Sequence, residues 1–142
     1  MKSGTRTAWQ WAVGLLFVAA GANHFFMPKP YLAMIPPHWP SPRALVEISG
    51  VAEMMGGLGV LWTATRRLAA WGLIALLVAV FPANWQVAAH GWPGVDAPPW
   101  VLWARLPFQP LFIWWVYRIY LRRTRPPVSN TNPSDAEARA KP

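Results

Sequence analysis

The chain has 142 residues, 54% of them hydrophobic and 13% charged, with a net charge of +8 and no cysteine. Globular chains average about 25% charged residues, so this composition argues against an ordinary soluble domain and for an integral membrane protein of one domain. The missing cysteines exclude disulfides, thiolate metal sites and a dithiol relay carried by this chain. The basic residues flank apolar runs instead of forming a patch, which argues for a lipid bilayer as partner and against nucleic acid.

Residues 1–7, with Lys2 and Arg6, form a short basic start. Residues 8–26 are then an apolar run long enough to predict a first span. A cleaved signal peptide ending near Ala20-Gly21-Ala22 is the competing reading of this run. Residues 27–42, MPKPYLAMIPPHWPSP, are crowded with prolines, which lack a backbone donor and disfavour helix at the preceding residue. A stiff connecting loop is expected there. A second span is predicted over 44–62, and Gly50, Gly56, Gly57 and Gly59 would let a neighbouring helix approach. A third follows over 68–89, kinked by Pro82, and a fourth over 100–121, containing Pro107 and Pro110. From residue 122 the chain is basic, then polar (PPVSNTNPSDAEARAKP), the composition of a disordered tail.

The basic residues at the ends and at Arg66-Arg67 outnumber those of the other loops. By the positive-inside rule this predicts cytoplasmic termini, and the short connections predict neighbouring helices running antiparallel. The expectation is an all-α membrane protein: four transmembrane helices in an up-down-up-down bundle, N-in and C-in, multi-pass in a bacterial cytoplasmic membrane. Residues 1–7 and 122–142 would be cytoplasmic.

The second predicted span carries Glu47 and Glu53, and a carboxylate in a bilayer is costly unless paired or wet. At about 1.5 Å rise per residue, Glu53 lies roughly 13 Å below the outer end of its span, Arg105 roughly 7 Å and Gln109 roughly 13 Å. His24 and Asn84 fall in the outer parts of theirs. The ligand-binding candidates are therefore His24, Glu47, Glu53, Asn84, Arg105 and Gln109. Arg105 is the expected partner of one acid, because a guanidinium stays charged and can grip a carboxylate with two hydrogen bonds. Arg43, four residues before Glu47, is placed to take that acid. Glu53 is then the residue best placed for chemistry. His24, His38 and His90 have no metal-ligand spacing, and no metal site is expected.

GANHFFMPKPYLAMIPPHWP, LVEISGVAEMMGGLGVL, TRRLAAWGLIALLVAVFPAN and RLPFQPLFIWW together resemble the DoxX-like family of small bacterial membrane proteins, over about residues 14–120. The resemblance implies a four-helix membrane fold. It also implies roles ranging from subunits associated with thiosulfate:quinone oxidoreductase to maturation and assembly proteins. Two functions are expected on this basis. In the first, the chain is an accessory or subunit of a quinone-linked oxidoreductase, more an accessory than a stand-alone catalyst. It binds a quinone or similar amphipathic ligand in the polar cluster, carries no covalently bound cofactor, and works with a redox-enzyme partner or as a homo-oligomer. In the alternative, it is a non-enzymatic assembly, chaperone-type or stress-tolerance protein. Its polar cluster is then structural, and the glycine face of the second span or the proline-rich loop docks a partner.

Overall fold

The computed structural model describes residues 3–122. Six α-helices and one π-helical turn follow in order: α1 (Ser3–Phe26), α2 (Pro28–Leu32), α3 (Pro42–Gly59), α4 (Arg66–Ala79), α5 (Phe81–His90), α6 (Pro99–Val116) and the π-turn (Tyr117–Leu121). No strand occurs among the described residues, and the chain is all-α. Residues 1–2 of the expected N-terminal segment and residues 123–142 of the expected tail lie outside the described residues.

Helices α1 and α3 run antiparallel through two reciprocal glycine contacts. A Cβ placed on Gly21 would lie 2.5 Å from the Gly50 carbonyl oxygen, and one on Gly50 would lie 3.0 Å from the Gly21 oxygen. Seven residues along each helix the contact repeats, Gly57 meeting the Gly14 oxygen at 2.7 Å and Gly14 the Gly57 oxygen at 2.9 Å. Two turns of an α-helix are about seven residues, so the same seam returns to the same face. Backbone meets backbone there, which only residues without a side chain allow. The other glycines of α3 face α4, where a Cβ on Gly56 would strike the Leu73 side chain and one on Gly59 the Ala69 Cβ. The glycine surface expected to dock a partner is thus occupied from within by α1 and α4.

Several breaks are set by proline and capping. The expected stiff loop contains α2, because Pro28 and Pro30 suit the first turn of a helix, where no amide donor is needed. The expected third helix is divided at Val80. Pro82, in the first turn of α5, cannot donate to the preceding turn, and the amides of Ala83 and Asn84 both turn to the Val80 carbonyl. Gly91, with φ of 85°, ends α5. Pro107 and Pro110 interrupt the hydrogen-bond ladder of α6, which passes into the π-turn. At the other end of α3 the Arg66 guanidinium donates to the Val60 and Leu61 carbonyls at 3.0 and 3.3 Å, and the Thr65 hydroxyl donates to Gly59 at 2.7 Å. These satisfy carbonyls that the helix end leaves open.

The larger core cluster joins Val13 and Phe17 of α1, Val60, Ala70 and Leu73, and Val116, Ile119 and Tyr120 from the end of α6 and the π-turn. It is pinned by Tyr120, whose hydroxyl donates to the Gln10 carbonyl at 2.5 Å. The smaller cluster joins Met34, Ala83, Val87 and Leu102. Between these two lies the polar cluster.

The expectation of four transmembrane helices is overturned. Among the described residues, one helical stretch, Arg66–His90, of 25 residues, is long and apolar enough to cross a membrane. Helix α1 is diluted by Gln10, Asn23 and His24. Helix α3 has 18 residues that include Arg43, Glu47 and Glu53, and α6 has 18 that include Arg105, Gln109 and three prolines. Length and apolar character, which coincide in Arg66–His90, do not coincide in the others. The up-down-up-down scheme of four spans fails with it.

The glycines separate into two classes that thermal unfolding can tell apart. Gly50→Ala puts a methyl 2.8 Å from the His24 Cβ and against the α1 backbone, and is expected to cost about 1–3 kcal/mol as overpacking. Gly72→Ala meets nothing within 4 Å on α4 and is expected to raise stability by about 0.5–1 kcal/mol through helix propensity. A neutral or stabilising Gly50→Ala would mean the seam is looser than described.

Candidate functional site

The α1–α3 seam presents His24 directly to α3. Along α3, residues 46, 49, 50, 53 and 57 recur at helical spacing and face α1. His24 lies across that face. Its Nδ1 is 3.0 Å from the Val46 carbonyl oxygen and 3.2 Å from the Ser49 hydroxyl, while its Nε2 is 3.4 Å from a Glu53 carboxylate oxygen. The Ser49 hydroxyl donates to the Val46 carbonyl at 3.0 Å. The His24 and Glu53 side chains are only 12% and 17% exposed, so water screens this contact little. On its other side the imidazole stacks on Tyr31 with ring centroids 3.9 Å apart, and the Tyr31 hydroxyl accepts from the Asn23 amide at 2.9 Å.

A second group comes from α5 and α6. The kink at Val80 leaves the Leu77 carbonyl without its usual helical partner, and the Gln109 side-chain amide donates to it. Gln109 is buried. Its carbonyl oxygen accepts from the Asn84 amide at 3.1 Å, and the Asn84 oxygen accepts from Arg105 at 3.3 Å. Arg105 also reaches the Met34 sulfur at 3.6 Å and lies 4.3 Å over the Trp92 ring. The Trp92 indole donates to the Pro30 carbonyl at 2.8 Å, which fastens the loop after α5 to α2.

The two groups share a cavity of about 220 Å³. Helices α1 and α3 contribute Phe17, His24, Val46, Ser49 and Glu53. The α2 region contributes Tyr31, Met34 and Ile35, and α4 to α6 contribute Leu76, Leu77, Asn84 and Arg105. The site is thus apolar over most of its wall, with an acid and imidazole from one pair of helices and an amide and guanidinium from another.

Four of the six sequence candidates line this cavity or carry its polar groups directly: His24, Glu53, Asn84 and Arg105. Gln109 stands behind them and holds Asn84. Glu47 is elsewhere. It accepts from the Arg43 Nε at 2.8 Å on the exposed start of α3, and its hydrogen bond and charge raise the Arg43 pKa above the usual arginine value. The expected pairing of an acid with Arg105 is also corrected. Glu53 meets His24, and the contacts of Arg105 are a neutral amide, a thioether and an aromatic face. The reason lies in the seam, which brings α1 and not α6 against the Glu53 face of α3.

Sequence reasoning missed Tyr31, Ser49 and Trp92. Ser49 had a usable signal, lying four residues before Glu53 on the same helical face. Tyr31 and Trp92 come from loop segments whose path no periodicity records.

An all-helical chain with a small pocket of mixed polarity is the class these features define. The chain belongs to the family described as Domain of unknown function (DUF8561), whose family model matches residues 13–120. No curated protein and no solved structure matches it.

The amide relay has a direct test. Gln109→Leu strands the Leu77 carbonyl and the Asn84 amide in the interior, and is expected to destabilise the fold by about 1–3 kcal/mol in chemical unfolding. Glu47→Gln, on the exposed pair, is expected to leave the unfolding curve unchanged.

Proposed function

We propose that this protein is a membrane-associated accessory of an oxidoreductase and that its cavity receives the polar head of a small amphipathic molecule of the quinone type. The observation that carries this reading is the cavity itself: about 220 Å³, apolar over most of its lining, with His24 and Glu53 on α1 and α3 and Asn84 and Arg105 on α5 and α6. Ligand sites combine apolar walls with a few convergent polar groups, and drug-sized ones measure about 300–1,000 Å³. The smaller volume here suits a single ring. Arg105 and His24 can donate to ring carbonyls, and Glu53 can accept or return a proton through the same wall. The likeness to DoxX-like sequences is part of this reading.

A membrane setting is supported by the outer surface. Large apolar side chains are exposed on every long helix, among them Leu15, Phe26, Ile48, Met55, Leu68, Val78, Trp85, Trp103 and Trp114. Water-exposed patches of this extent are rare on soluble monomers. Arg66–His90 supplies a stretch long enough to anchor the chain. Resistance to alkaline extraction from membranes is the expected behaviour, and release with the peripheral proteins would overturn it.

One observation favours the second reading, a structural cluster in an assembly protein. Among the described residues no buried side-chain nitrogen or oxygen lacks a hydrogen-bond partner, so the fully buried atoms of the network are satisfied from within. Titration of the purified protein with a water-soluble short-chain quinone separates the two. Saturable binding that weakens about tenfold or more in Glu53→Gln and in Arg105→Ala, and is unchanged in Glu47→Gln, is the expected result. No saturable binding, or binding indifferent to both cavity variants, leaves the structural reading.

A further inference from the structure

The charges in the cavity are not matched. Glu53 and His24 answer each other, at 3.4 Å. Arg105 is only partly exposed, and the groups it touches are neutral: the Asn84 oxygen at 3.3 Å, the Met34 sulfur at 3.6 Å and the Trp92 ring beneath its plane at 4.3 Å. Among the described residues the ion pairs are His24–Glu53 and Arg43–Glu47, so no carboxylate of the fold reaches this guanidinium. A guanidinium has five donors in a planar fork and is permanently charged. Removing a guanidinium from water is unfavourable unless an anion or good acceptors compensate. One neutral oxygen, a thioether and a ring face leave donors over, and Arg105 lines the cavity.

We propose that the cavity selects an organic monoanion, a carboxylate on a single aromatic ring, with the carboxylate on Arg105 beside Asn84 and the ring between Phe17, Tyr31 and the aliphatic wall of Leu76 and Leu77. This inference rests on the cavity's being a small-molecule site and departs from the neutral quinone head in one respect, the charge on the ring's polar substituent. The fork geometry of Arg105 matches two carboxylate oxygens, which an ammonium or a lone amide does not. Asn84 keeps its side chain in place because Gln109 holds its amide at 3.1 Å, leaving the Asn84 oxygen turned to Arg105. The Trp92 ring fixes the plane of the guanidinium from the other side. At the α1–α3 end of the cavity, His24 and Glu53 offer a hydrogen-bonding position for a second polar substituent.

Isothermal titration of the wild-type protein in neutral detergent at pH 7 compares benzoate, benzamide and a short-chain quinone. Benzoate and benzamide have nearly the same shape and differ in charge, so this comparison does not depend on any variant folding. The expected result is benzoate binding at least about tenfold tighter than benzamide, as for a charged and bidentate hydrogen bond. That advantage should vanish in Arg105→Gln and return in part in Arg105→Lys. Equal affinity for benzoate and benzamide overturns the assignment of a monoanion. Quinone binding in that same outcome leaves the cavity's function as a neutral-ligand site standing. If none of the three probes binds, the assignment and the reading of the cavity as a ligand site both fall.

Discussion

The fold depends on the close approach of α1 and α3. At Gly14 with Gly57, and at Gly21 with Gly50, the two backbones are near enough that a single methyl group would collide with a carbonyl oxygen. The cost of such a contact is that four positions cannot vary in size. Its benefit is many short-range dispersion contacts, individually near 0.1–0.2 kcal/mol and collectively large. The seam also determines the chemistry, because His24 sits three residues beyond Gly21 and Ser49 is next to Gly50. A wider crossing would leave His24 short of both the Val46 carbonyl and Glu53.

The second pair of helices solves a different problem. The helix breaks between α4 and α5 at Val80, and beside that break the Leu77 carbonyl must find a partner. Gln109 fills that requirement and, with its remaining oxygen, orients Asn84. Asn84 in turn orients Arg105. A proline defect on one helix is thereby converted into a chain of oriented side chains that ends at the cavity. Trp92 completes it by holding the guanidinium face and, through its indole N–H, the backbone of α2.

Much of this was legible in the sequence and some of it was not. The helical character, the break at Pro82 and the family of polar positions follow from apolar runs, proline chemistry and the cost of charge among apolar residues. The pairing of Glu47 with Arg43 follows from a spacing of four. The partner of Glu53 does not, because which helix meets which face is a tertiary fact, and α3 carries glycines both toward α1 and toward α4. The count of spanning helices departs from the sequence expectation for a related reason. Aromatic and small residues lengthen an apolar run, while Gln10, Asn23, the two glutamates of α3 and the prolines of α6 reduce its apolar character. Among the described residues only Arg66–His90 combines length with a low polar content. Tyr31 and Trp92 reach the site from segments without periodicity, where sequence offers no register to read.

The cavity's polar groups are divided along the chain. Residues up to Glu53 supply the imidazole, the hydroxyl and the acid, while those after Val80 supply the amides and the guanidinium. Neither helical hairpin, α1 with α3 or α5 with α6, owns a complete site. Anything bound across it holds the two hairpins together, and its binding free energy adds to the stability of the joined state alone. Cutting the chain between α3 and α4 would therefore leave two fragments whose reassociation is the formation of the site, and a molecule that fills it would act as their adhesive.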